Sequence, residues 1–228
     1  MKLSISMNKN EKLLGWICLI FSLFFLPSLL HFLNGLLGNL LSPTIIHLIQ
    51  VVLEFAAIVV IFQRFLTNSV KAAANRPWRM LGFTCLGLIL YYAASFVFTT
   101  VTRHFFPNFS NVNDGAVIGL FGQFPALMTV ATVLLVPITE ETLFRGVIFL
   151  GFQRKNRVLA YIISTLIFAG IHVIDYIYTY DAVTLCLCFV QYLPAGILLA
   201  WVYERADTIT APIFMHIVIN LIGTSVLR

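Results

Sequence analysis

Charge is scarce in this chain. Only 10% of its 228 residues are Asp, Glu, Lys or Arg, against roughly 25% in soluble domains. With 60% hydrophobic residues and a mean hydropathy of +0.97, an ordinary water-soluble globule is excluded and a lipid bilayer is the solvent that fits. The four cysteines, Cys18, Cys85, Cys186 and Cys188, all fall inside hydrophobic stretches. On a helix Cys186 and Cys188 point about 200° apart, so neither a disulfide framework nor a C-x-x-C metal pair is suggested. There is no fixed-period repeat and no low-complexity segment. The H-E-x-x-H pattern of ordinary zincins is missing, as are a phosphate-binding loop and a Ser-His pair at a plausible site. The first apolar run follows Lys2, Lys9 and Lys12 but has no A-x-A-like exit, which predicts an uncleaved first span.

Long apolar runs are present instead. Leu13 to Leu33 contains no charge, and stretches near 44–66, 80–102, 115–137, 157–175, 183–203 and 211–227 each approach the ~20 residues that cross hydrocarbon. The expected fold is an all-α, polytopic transmembrane helical bundle of seven to eight spans, with connections too short for a separate soluble domain. The longest, Thr67 to Arg79, reads as a basic loop. Gly115 to Gln153 is too long for one span, and Pro125, Pro137 and Gly146 predict one crossing helix followed by a bent or short one.

The net charge of +5 is not gathered in one patch, so a nucleic-acid partner is not expected. The bases recur at alternate span ends: Lys2, Lys9 and Lys12, then Arg64 to Arg79, then Arg154, Lys155 and Arg157, then Arg205. Between them, Asn34 to Ser42 is uncharged, Arg103 stands alone before Asp114, and Asp175 and Asp181 follow a span. Positive-inside topology predicts a cytoplasmic N-terminus, and the expected setting is a plasma membrane, most simply a bacterial one, with the lipid bilayer around the chain.

Ionisable residues inside spans cost roughly 2.5–3.5 kcal/mol each and tend to mark function. Most of them, His47 and Glu54 apart, lie beyond Pro137. This divides the chain into N-terminal transmembrane helices, 1–124, and a chemically equipped core, 125–228. Three clusters stand out. In Pro137-Ile-Thr-Glu140-Glu141-Thr-Leu-Phe-Arg145-Gly146, Thr139 is a plausible N-cap with two acids in the first turn. Glu141 and Arg145 share a face and read as a structural ion pair, while Glu140, rotated about 100°, is left unpaired. Phe168-Ala-Gly170-Ile-His172 ends an apolar helix whose small residues would let another backbone approach. His216 and Asn220, four apart, can donate to one small volume. Each histidine alone is more often a satisfied interhelical hydrogen-bonder. The set is harder to explain in a passive bundle. His47, Gln50 and Glu54 form a polar stripe on the second span, read either as interhelical hydrogen bonding or as a cavity lining.

In order and separation, Glu140-Glu141-x-x-x-Arg145, Phe168-x-x-x-His172 and His216-x-x-x-Asn220 resemble the three motifs of the CAAX-protease and bacteriocin-processing family of intramembrane proteases. Pro137, Phe144-Arg145-Gly146 and Ala211-Pro212-Ile213 agree with it, over about residues 125–225. The resemblance implies a bundle with an intramembrane active-site cavity. It also implies hydrolysis of a peptide bond near a lipid-linked C-terminus or hydrophobic segment, for CAAX-type processing or for bacteriocin maturation or immunity.

Two chemistries remain open. Without metal, Glu140 is the general base, His172 holds and polarises the water, His216 and Asn220 are oxyanion donors, and Glu141, Arg145 and Phe168 support them. In the metalloprotease version Glu140, His172 and His216 are three zinc ligands. Two other functions compete. A non-catalytic membrane immunity or scaffold protein could keep the fold and bind a bacteriocin or other partner, and an ion-coupled transporter could use the same acids and imidazoles as a relay. The transporter would call for paired broken helices in two halves, which the sequence does not display.

Overall fold

Prolines and small polar caps set where this chain starts and stops its helices. In a computed structural model that describes residues 3–226, nine helices account for the fold among the described residues: α1 Lys9–Leu36, α2 Pro43–Ile61, α3 Gln63–Asn75, α4 Pro77–Phe105, α5 Val112–Leu120, α6 spanning 125–153, α7 Arg157–Ile171, α8 Ala182–Ala206 and α9 Thr210–Val226. Asn8 and Glu11 close a reciprocal capping box on α1 (2.6 and 2.8 Å). Ser42, Asn111, Asn156 and Asp181 each accept first-turn amides with their side chains, and Pro43, Pro77 and Pro125 stand at helix starts, where a missing N–H costs nothing.

By length and composition α1, α2, α4 and α8 are long and apolar enough to cross a membrane, and α7 and α9 are shorter apolar helices. With α6 they correspond to the seven apolar stretches of the sequence. Two boundaries differ from expectation. The Thr67 to Arg79 connection is mostly helix: α3 turns Phe65, Ser69 and Ala73 inward on one stripe, and Thr208 donates to the carbonyl of Ser69 (2.7 Å). The Gly115 to Gln153 stretch breaks at residues 121–124, where Pro125 begins a new helix. It does not break at Pro137 or Gly146.

Pro137 is tolerated because the turn ahead of it widens. Residues Ala131–Leu135 are π-helical, with the Val136 amide reaching back to the carbonyl of Ala131. The same arrangement, Phe21–Phe25, precedes Pro27 in α1. A widened turn moves the carbonyls that a proline ring would otherwise strike. A third π-helical run, Thr142–Phe149, is buried along its whole length.

One core joins both halves of the chain, from Leu3 and Met7 through Phe62, Phe65, Phe144 and Phe149 to Tyr203 and Met215. Charged contacts gather at one end of it. Arg64 bonds Glu11 (2.5 Å), Arg76 faces Asp207 (3.8 Å), Arg79 donates to the carbonyl of Arg205 (2.8 Å), and Arg157 forks onto the buried Glu204 (2.7 to 3.0 Å). The basic loops that lie far apart in sequence therefore share one face of the bundle.

Of the small residues at the end of α7, Ala169 is fully buried but Gly170 has open space beside it, and the tight approach to this helix comes at Gly196. A Cβ on Gly170 would meet nothing within 4 Å, whereas one on Gly196 would lie 2.8 Å from the Thr165 Cγ2 and 3.1 Å from its Cα. Helices α7 and α8 touch there. Gly196→Val should therefore overpack this contact and cost about 1–3 kcal/mol, while Gly170→Ala should stay within about 0.5 kcal/mol of wild type. Thermal unfolding of the two variants in one detergent measures the difference.

Candidate active site

The two adjacent acids of α6 face different surroundings. Glu141 is fully buried, and its Oε1 takes hydrogen bonds from Arg145 Nη1 (2.9 Å) and from His216 Nδ1 on α9 (2.9 Å). Arg145, equally buried, also donates to the carbonyl of Gly196 (3.3 Å) and lies 4.4 Å from the centre of the Phe168 ring. Four helices thus meet on one ion pair, with Phe168 as its apolar cover. Thr139 is not an N-cap, because α6 runs through it unbroken. The acids sit mid-helix, away from the helix dipole, and Glu141 is held by the ion pair with Arg145 that their spacing suggested.

Glu140, one residue back, opens onto a cavity of about 860 Å³, a volume ordinary for ligand sites. Its Oε2 lies 3.9 Å from His216 Nε2 and accepts no hydrogen bond from the described residues. His172, at the C-cap of α7, lines the same cavity, with its Nδ1 2.7 Å from the carbonyl of Phe168. The partners decide the tautomers. A carbonyl and a carboxylate can only accept, so both imidazoles carry their proton on Nδ1. Neutral His172 then offers a bare Nε2 to the cavity. His216 can offer Nε2–H only as imidazolium.

Asn220 reaches the cavity one turn beyond His216, but one of its amide N–H groups is committed to the carbonyl of Thr132 (2.8 Å). That carbonyl needs a partner for a local reason. In the π-helical turn it would bond the amide five residues on, which is Pro137 and has none. The proline of the first motif and the asparagine of the third are linked through this carbonyl.

The polar stripe of α2 also lines the cavity. Gln50 donates to Glu54 within the helix (3.0 Å), and His47, Gln50 and Glu54 all face the space in front of Glu140. The cavity-lining reading of that stripe is the one the fold adopts. Two further residues were not singled out from sequence. Tyr192 of α8 stacks on His172, and Asp114 of α5 accepts from the Tyr192 hydroxyl. No spacing ties Tyr192 to His172.

Zinc requires that the donor side chains converge. The free Nε2 atoms and Glu140 are suitable donors in kind, yet among the described residues no group of three His, Cys, Asp or Glu side chains is placed to hold one ion.

Comparison with known proteins agrees with the motifs. The model of the family described as type II CAAX prenyl endopeptidase Rce1-like matches residues 122–222, which include all three motifs. The UPF0177 protein YxdF of Lactococcus lactis subsp. lactis is 26% identical over 148 residues, covering 64% of this chain and 77% of that protein. No solved structure matches.

The buried pair predicts a specific energetic pattern. Arg145→Met alone leaves the Glu141 carboxylate buried without its guanidinium and should cost about 3–5 kcal/mol, whereas adding Glu141→Gln should recover a large part of that loss. Thermal unfolding of wild type, both single variants and the double variant in detergent provides the cycle.

Proposed function

We propose that this chain is an intramembrane endopeptidase that hydrolyses a peptide bond in a membrane-associated or lipid-linked peptide, using water activated by Glu140. The match of residues 122–222 to a CAAX endopeptidase family is the premise. The observation that carries the reading is the position of Glu140, which lines the cavity while its buried Oε2, 3.9 Å from His216 Nε2, accepts no hydrogen bond from the described residues.

Water sits between the Glu140 carboxylate and the bare Nε2 of His172. Glu140 takes one proton as the water oxygen attacks the peptide carbonyl carbon. The oxyanion that forms receives His216 Nε2–H, in the imidazolium form, together with the remaining N–H of Asn220. Glu140 then returns its proton to the amide nitrogen, and the C–N bond breaks. Glu141, Arg145 and Phe168 keep His216 and α6 in register. The zinc alternative would make Glu140, His172 and His216 ligands; among the described residues no three such side chains are placed to hold one ion, which supports the reading in which Glu140 acts on the water directly.

The cluster of basic contacts at one end of the bundle supports placing that end, with the N-terminus, in the cytoplasm of a plasma membrane. The substrate class is a hydrophobic or lipid-linked peptide reached from within the bilayer, either a CAAX-type C-terminus or a bacteriocin-like peptide. The other reading, a membrane immunity or scaffold protein that binds without cutting, predicts no dependence on Glu140.

Peptide termini in membranes and medium from cells carrying wild type or Glu140→Gln at matched protein levels separate these readings. Termini that fall about 10²- to 10⁴-fold in the variant are expected. An unchanged set of termini with an intact cellular phenotype would replace catalysis by binding. With the substrate in hand, cleavage by purified protein should withstand a metal chelator. Loss on chelation restored by zinc would instead favour the metal version.

A further inference from the structure

His172 stands where its own helix can do least for it. It is the C-cap of α7, and the chain leaves the helix directly after it through the turn at Ile174–Tyr176. One hydrogen bond, from Nδ1 to the carbonyl of Phe168, fixes one edge of the ring. The plane of the ring is fixed from another helix. Tyr192 stacks on it, with ring centroids 4.1 Å apart and an interplanar angle of 26°. The Tyr192 hydroxyl is in turn committed to α5: it donates to Asp114 Oδ1 (2.8 Å), accepts from Asn113 Nδ2 (3.0 Å) and lies 3.4 Å from Asn111 Oδ1. Asn111 is also the cap of α5, accepting the amides of Asn113 and Asp114 (3.0 and 3.1 Å). The start of a short helix is therefore organised around one phenol.

We infer that Tyr192 is a positioning residue for His172, held in place by Asp114, so that the chain α5–Tyr192–His172 sets where the imidazole Nε2 points in the cavity. The inference deepens the hydrolytic reading, in which that nitrogen orients the attacking water. Tyr192 itself is not catalytic, because its hydroxyl is spent on α5 and only its ring face meets His172. Misplacing a group that orients a reactant can cost about a hundredfold in rate, which is the scale of effect a positioning role predicts.

The test has one arm that needs no substrate. The full-length protein, labelled in histidine and held in detergent micelles, is compared by NMR as wild type, Tyr192→Phe, Tyr192→Leu and Asp114→Asn, with His172→Gln to assign the resonance. The stacked ring should shift the His172 signals upfield in wild type, and Tyr192→Phe, which keeps the ring but loses the bond to Asp114, should retain only part of that shift. Tyr192→Leu should abolish that shift, and Asp114→Asn should reduce it, while signals of the other histidines stay in place and report an intact fold. His172 signals that do not move in Tyr192→Leu overturn the inference. If that variant does not fold, Asp114→Asn decides in its place, and an unmoved His172 there overturns the inference equally.

The second arm uses the peptide identified by the Glu140→Gln comparison. Tyr192→Leu should lower kcat about ten- to a hundredfold with KM within about twofold, and Tyr192→Phe, which keeps the stacked ring but not its anchor, should fall between Tyr192→Leu and wild type. A raised KM with kcat retained would overturn positioning in favour of a substrate contact. Should no peptide be found, the proteolytic reading fails on its own and the NMR arm still decides the role of Tyr192.

Discussion

A carboxylate with no access to water, Glu141, governs the arrangement of the second half of this chain. Buried in a bilayer protein, it needs hydrogen bonds and a counter-charge, and it draws both from Arg145 one turn along α6 and from His216 on α9. Arg145 also engages the carbonyl of Gly196 on α8 and the ring of Phe168 on α7. The requirement that one ion pair be satisfied in a low-dielectric interior thus holds four helices to a single register. Glu140 inherits its setting from this. As the neighbour of a residue anchored in the core, it projects into the cavity and stays free.

The same logic of satisfied backbone groups shapes the helix that carries both acids. Pro137 denies a donor to the carbonyl of Thr132, the turn before it opens into a π-helical form, and Asn220 supplies the missing hydrogen bond. The cost of a proline inside a span is offset by a side chain from another helix, as expected where water cannot fill in. Asn220 is thereby held beside His216 at the cavity wall, in a position where its second N–H can serve an oxyanion. A feature that breaks the helix locally is also what seats a candidate catalytic group.

Polar groups in the remaining helices fall into two sets. At the basic end, Arg64, Arg76, Arg79 and Arg157 clamp loops to helix ends through Glu11, Asp207, the Arg205 carbonyl and Glu204. Toward the other end, His47, Gln50, Glu54, Asp114 and Tyr192 turn toward the cavity. The bundle therefore separates charges that fix its ends from polar groups that face a common interior.

Much of this was legible in the residues. Continuous apolar runs of about 20 residues determined the helical membrane fold, because a helix satisfies its backbone hydrogen bonds within one such segment, whereas barrel strands are about half as long. The spacing of Glu141 and Arg145 determined their pairing, because residues four apart share a helix face, and the motif order marked the stretch that the family model matches. Local patterns misled where tertiary partners overrode them: Thr139 resembled a cap but lies inside a helix, and the basic connection after α2 proved to be a helix with a buried stripe. Only the folded structure decided that Glu54 faces the cavity of Glu140, that Thr165 and Gly196 make the close approach, and that Tyr192 lies over His172. Those contacts join residues tens of positions apart. They depend on the rotation and crossing of whole helices, which hydrophobic period and local spacing leave undetermined.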